Sequence, residues 1–119
     1  MPTDAALLRI FIGQDDKAGH LPLYEAIVLK AREMHLAGAT VLRGGLGFGR
    51  SGRLHTTKVL RLAQDLPVII EIIDADEKIE ALLPELEKLM HSGLATLEKA
   101  KVLRYGGLQA QSETPNLPI

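Results

Sequence analysis

The segment Leu66 to Ile73, LPVIIEII, constrains the fold more than any other part of the chain. β-branched residues fill it almost throughout, so it is expected to be a strand. Successive side chains on a strand point to opposite faces, and here both faces are apolar. Val68, Ile70 and Ile72 fall on one side and Ile69 and Ile73 on the other, with Glu71 the charged interruption. A sheet with one wet face should alternate apolar with polar, so this strand is expected to be covered on both sides. Helices can cover one of them. A chain of 119 residues amounts to one domain and has no spare element for the other, so a second copy of the same chain is the expected cover. The competing reading is an ordinary strand with a few tolerated isoleucines on its outer side.

The remaining elements fall into place around that strand. Leu7 to Gly13 (LLRIFIG) is a β-rich run closed by glycine and followed by the polar turn Gln14 to Gly19. Pro22 suits the first turn of a helix, and Leu23, Ile27, Ala31 and Met34 recur at helical spacing until Gly38, which is expected to close it. Thr40 to Leu46 reads as a second strand that dissolves into glycines. Leu54 to Gln64 fits a short strand or a helical turn. After the third strand, Asp74 with Glu77 three residues on forms a capping signal, and Ile79, Leu82, Leu83, Leu86 and Leu89 make the apolar face of a second helix. Pro84 lies inside that pattern and is expected to kink or break it, and His91-Ser92-Gly93 should end it. Ala95 to Tyr105 is the expected last strand. The order β-α-β-loop-β-α-β is that of an α+β, ferredoxin-like sandwich, with two helices on a four-stranded antiparallel sheet and a long excursion between strands two and three. Residues 1–105 form the expected domain, and Gly106 to Ile119, with Pro115 and Pro118, a disordered tail.

Composition removes several classes of protein. The absence of cysteine excludes a disulfide scaffold and a zinc-thiolate site. The apolar run from Val68 to Ile73 is too short to span a bilayer, and the polar start from Met1 to Ala6, with Asp4, does not resemble a secretory leader. The expectation is a soluble, cytoplasmic protein. Net charge is −1, but it is polarised: Arg43, Arg50, Arg53, Lys58 and Arg61 lie between Glu33 and Asp65 with no acid among them, which leaves nine bases against fifteen acids elsewhere. Such a chain is expected to meet an anion at its centre and not to bind nucleic acid over its whole surface.

That basic segment is also where the glycines gather, at Gly44, Gly45, Gly47, Gly49 and Gly52. Glycine lets backbone N–H groups approach a ligand, and the Arg50 and Arg53 guanidinium groups can fork onto phosphate or carboxylate oxygens. Lys58 adds charge, and His55, between Arg53 and Lys58, can join an anion site. No Gly-Lys-Ser/Thr follows as in a phosphate-binding loop, and no helix starts there as in a dinucleotide fold. The bland reading is a solvated hairpin loop whose glycines simply permit bending. Lys101 and Arg104 on the last strand are further candidate cations, or surface charge. His20, His35 and His91 lack ligand-pair spacing and read as caps or surface residues. Asp15 and Asp16 admit a cation site in the first turn or a solvated acidic pair.

Gly47-Phe48-Gly49-Arg50, at the end of the second strand and opening a long basic loop, resembles the start of the T-loop of PII nitrogen-regulatory signalling proteins. Leu66-Pro67-Val68-Ile69-Ile70-Glu71-Ile72 is similar to the strand after that loop, and the acidic helix start Asp74 to Glu80 fits as well. The combination of LRIFIG, Asp65-Leu66-Pro67 before IIEIID, and Gly93-Leu94 with Thr96-Leu97-Glu98 resembles an uncharacterised, domain-of-unknown-function branch of PII-like proteins. The resemblance implies a homotrimer with ligand clefts between subunits, where Gly49 and Arg50 hold a nucleotide's phosphates. No other cofactor is expected. Ser51 and Val68 replace the glutamine and lysine that serve magnesium-linked 2-oxoglutarate sensing in that family. No tyrosine lies between Gly49 and Pro67, so the uridylylation target is missing, as is the terminal arginine cluster.

The residues and the resemblance together leave three classes of function. A trimeric, non-enzymatic sensor would bind a small anion and act through its loop on a partner such as a membrane transporter or channel. A divalent-cation-binding trimer of the copper-tolerance type would share the architecture, but needs ligands that converge. A small ferredoxin-like hydrolase would need an arginine loop after the first strand, where Gln14-Asp15-Asp16-Lys17 stands instead.

Overall fold

Alternation in the first strand sets the layering. The computed structural model describes residues 3–44, 46–48, 54–56 and 66–104, and within them β1 (Thr3–Gly13) buries Leu8, Ile10 and Ile12 on one face. β7 (Pro67–Asp74) pairs with it antiparallel, Ile10 opposite Ile70 and Leu8 opposite Ile72, so Val68, Ile70 and Ile72 lie on the same face and are fully buried. Helix α1 (Leu23–Glu33) covers that face with Leu23, Ile27 and Ala31, and α2 (Asp76–Leu89) with Ile79, Leu82 and Leu86. The sheet is completed by β4 (Thr40–Arg43) beside β7 and β8 (Leu94–Val102) beside β1. Its order, β4-β7-β1-β8, antiparallel throughout, is that of the ferredoxin-like fold. Two small hairpins stand outside it: β2 (Lys17–Ala18) with β3 (Leu21–Pro22), and β5 (Leu46–Phe48) with β6 (Leu54–Thr56).

Among the described residues, the other face of the sheet carries no layer. Leu7 and Phe11 of β1, Ile69 and Ile73 of β7, Leu42 of β4 and Leu94 of β8 share it by register. Ile73 is 45% exposed and Leu94 57%. In the middle of this apolar surface Arg9 donates from Nε to Glu71 Oε2 at 3.0 Å and from Nη1 to Glu98 Oε2 at 2.9 Å. The hydrogen bond that Arg9 donates to Glu71 and the negative charge of both carboxylates raise the Arg9 pKa above its ordinary value, against the opposing effect of desolvation.

Several boundaries depart from expectation. Strand β1 begins at Thr3, four residues before the Leu7 that opens the apolar run. Helix α1 ends at Glu33 and the chain reverses at His35, with a φ of 63°, instead of at Gly38. The reason is a paired C-terminal motif: His35 N–H donates to Arg32 O and Leu36 N–H to Ala31 O, each at 3.0 Å, and Leu36 turns back into the core beside Ala31. Asp74 is not the cap of α2, which falls at Ala75 without a side-chain bond. Its carboxylate instead accepts from Ala75 N–H at 2.7 Å and, with its other oxygen, from Ala37 N–H at 2.8 Å, tying the end of β7 to the α1–β4 connection. Helix α2 runs unbroken through Pro84, which lies on its exposed side. The last strand ends at Val102, short of the expected Tyr105. Residues 106–119, expected as a tail, lie outside the described residues.

Candidate functional site

The excursion between β4 and β7 leaves the sheet from a pinned base. Gly44 N–H donates to Pro67 O at 2.8 Å, closing the two ends of the excursion on each other, and Gln14 N–H donates to Leu66 O at 2.8 Å, fixing the end of β1 beside them. A Cβ at Gly44 would stand 2.9 Å from Pro67 Cγ, so glycine is what permits this approach. Three strand ends therefore meet at one corner of the sheet. The charge pattern of the sequence places its acid-free, basic stretch between those same two ends.

Within the excursion β5 and β6 pair antiparallel with Gly47 opposite His55 and Phe48 opposite Leu54. Two of the expected site residues, Gly47 and His55, are thus cross-strand partners. The strand expected over Thr40 to Leu46 splits here: β4 stops at Arg43, before the first glycines, and β5 resumes from Leu46 in a separate ribbon that includes Gly47. Leu54–Thr56 resolves the start of the ambiguous segment as strand. Gly49, Arg50, Arg53 and Lys58 lie outside the described residues.

Lys101 and Arg104 stand elsewhere in the chain. Lys101 is opposite Asp4 at the start of β1 and donates from Nζ to its carboxylate at 3.1 Å. The loop base is at the far end of the same strand, roughly 30 Å away at about 3.3 Å per residue. Arg104 is exposed and follows the end of β8. One chain does not bring either residue to the loop base.

What the structure brings there instead is Arg43, the last residue of β4. Its Cα partner is Val68, so its side chain lies on the helix side of the sheet. The guanidinium carbon sits 5.3 Å from the centroid of the Tyr24 ring, Nη2 donates to Tyr24 Oη at 3.2 Å, and Nε donates to Gln14 Oε1 at 3.3 Å. Sequence reasoning counted Arg43 in the basic interval but not as a site residue, and passed over Tyr24 and Gln14. The available signal was Arg43's place as the last residue before the glycines. In the turn after β1 the Asp16 carboxylate accepts from Gly13 N–H at 2.9 Å, an ordinary turn contact. Among the described residues, no group of three or more His, Asp or Glu side chains is placed to hold a metal ion.

The sequence profile of DUF190, a family described as an uncharacterized ACR, matches residues 5–102. This chain belongs to the DUF190 family. A UPF0166 protein of Aquifex aeolicus is 41% identical over 97 residues, which make up 82% of this chain and 91% of the relative. Among solved structures, CPII of Thiomonas intermedia, a nitrogen-regulatory PII-like protein bound to ADP, AMP and bicarbonate, superposes with a TM-score of 0.65 at 19% identity over 87% of this chain and 92% of its own. A putative PII-like signalling protein of Thermus thermophilus gives 0.63 at 17% identity, over 87% and 93%. The DUF190 chain thus has the fold of PII-like proteins. Among its described residues no helix is long and apolar enough to cross a membrane.

Proposed function

We propose that this DUF190 protein is a cytoplasmic, trimeric signalling protein. It binds a small anionic ligand, a nucleotide first among the candidates, in clefts between subunits, and acts on a partner such as a membrane transporter or channel through the β4–β7 excursion. Residues 1–105 constitute its single domain. The observation that carries this reading is the pinned loop base: Gly44, Pro67, Leu66 and Gln14 hold one corner of the sheet rigid, and the acid-free basic stretch of sequence springs from it. An anion seated there would act on a segment anchored at both ends, which is how a bound ligand becomes a changed loop conformation. The unlayered apolar sheet face supports assembly with other copies, since no element among the described residues covers it. Assembly is also the means by which Lys101 or Arg104 of one copy would approach the loop base of another. CPII, whose structure holds ADP, AMP and bicarbonate, supports the choice of ligands to try.

Calorimetry on the full chain with ADP, AMP and bicarbonate tests the site. Arg50→Ala should weaken binding of whichever of these the wild type takes by at least tenfold, with the oligomeric state unchanged by light scattering. An unchanged affinity removes Arg50 from the site, and a wild type that binds none of the three sinks the ligand reading.

A further inference from the structure

We infer that Arg43 and Tyr24 form an oxyanion-binding clamp at the base of the β4–β7 excursion; the inference rests on the proposed ligand site and adds to it two residues and a ligand chemistry. Charge is the first argument. Arg9 is matched by Glu71 and Glu98, and Lys101 by Asp4. Arg43, by contrast, pairs with no carboxylate among the described residues. Its partners are a phenol oxygen and an amide oxygen, both neutral. A guanidinium stays ionised at any physiological pH, so Arg43 brings to this corner of the sheet a fixed positive charge that no carboxylate among the described residues pairs with.

Geometry is the second argument. A guanidinium carries five N–H donors. Arg43 commits one from Nε to Gln14 and one from Nη2 to Tyr24, which leaves both donors of Nη1 and one of Nη2 unused among the described residues. One free donor from each Nη can serve the Nη1–Nη2 edge, an edge that forks onto two oxygens of a carboxylate or phosphate. Both supports come from ordered elements: Tyr24 is in the first turn of α1, half-buried against the core, and Gln14 is fixed by its backbone bond to Leu66. With the ring beneath and the amide at its side, the guanidinium keeps one orientation, so little side-chain freedom remains to be lost on binding. Tyr24 Oη accepts from Arg43 and keeps its own proton to donate to the same guest. The chemistry recognised is an oxyanion with two adjacent acceptor oxygens, which a nucleotide phosphate and free bicarbonate both present.

The test measures binding of ADP, bicarbonate, acetate and adenosine to wild type, Arg43→Met, Arg43→Lys and Tyr24→Phe, with thermal unfolding of each ligand-free protein as the folding control. Arg43→Met should lose at least tenfold in affinity for whichever of ADP and bicarbonate the wild type binds. Arg43→Lys should recover part of it, because the charge returns without the fork, and Tyr24→Phe should lose a few-fold. Adenosine binding should not change. Loss for ADP alone assigns the oxyanion to a nucleotide phosphate, and loss for bicarbonate and acetate alone assigns it to a small free anion; either supports the clamp. Should Arg43→Met fail to fold, the lysine and phenylalanine variants decide by the same criteria. Wild-type affinity in the Arg43 variants, or an equal loss for adenosine, overturns the clamp. If Arg50→Ala abolishes binding while Arg43→Met leaves it intact, the clamp falls and the proposed site stands. If the wild type binds no oxyanion, both fall.

Discussion

Gly93 and His35 both sit at positive φ, and what a Cβ does at each makes the contrast informative. A Cβ at Gly93, where φ is 109°, would meet Ile12 Cγ2 and Met90 Cε at 2.9 Å and Phe11 O at 3.0 Å. Gly93→Ala therefore combines backbone strain with overpacking and should cost about 2–4 kcal/mol in urea unfolding. At His35, with φ 63°, the bond that matters is the backbone carbonyl accepting from Lys78 Nζ at 2.8 Å. His35→Gly keeps that bond and removes the Cβ penalty, so it should stabilise by about 1 kcal/mol. A loss of stability there would show that the imidazole makes a contribution of its own. The end of α2, at Leu89 just ahead of the expected stop at His91-Ser92-Gly93, was legible in the sequence. The stop at His35 was not, because a glycine three residues on is the stronger local signal, whereas the reversal is decided by where Leu36 can enter the core.

Asp74 shows how one side chain joins three elements. Its two oxygens accept from Ala75 N–H at the start of α2 and from Ala37 N–H in the connection from α1 to β4. Asp74→Ala leaves two backbone donors short of a partner and should cost about 1–3 kcal/mol. Asp74→Asn keeps an acceptor oxygen and should cost less than the alanine change. Equal melting of all three proteins would mean that water replaces the carboxylate at no cost. The elements themselves were readable from periodicity, both helix faces and the buried register of β7 included. What periodicity hid was the β5–β6 ribbon: Gly47 is a poor strand former alone, and its pairing opposite His55 supplies what local propensity lacks. Helix α2 likewise passes through Pro84 because packing of Ile79, Leu82 and Leu86 outweighs one missing backbone bond.

At the scale of the molecule the open face of the sheet dominates. If copies of the chain meet there, Ile73→Glu puts a charge on an apolar contact and should convert the assembly to single subunits by light scattering, while far-ultraviolet circular dichroism stays unchanged, since Ile73 is not part of the core under the helices. A variant that keeps the wild-type mass would place the contact elsewhere. The Arg9, Glu71 and Glu98 trio lies on the same face, and such a pairing inside an interface constrains register more than it adds affinity. The amino-acid sequence by itself determined the two helices and their apolar faces, the strands of the main sheet, the inner face of β7, the ferredoxin-like order and the acid-free, basic charge of the central segment, because periodicity, propensity and charge are local properties that a chain carries with it. Tertiary structure alone decided that Arg43 would meet Tyr24 and Gln14, 19 and 29 residues away, and that Arg9 would meet carboxylates 62 and 89 residues away. Periodicity records which face a residue occupies; which residues of distant strands and helices share a corner depends on register and packing, and these exist only once the chain has closed on itself.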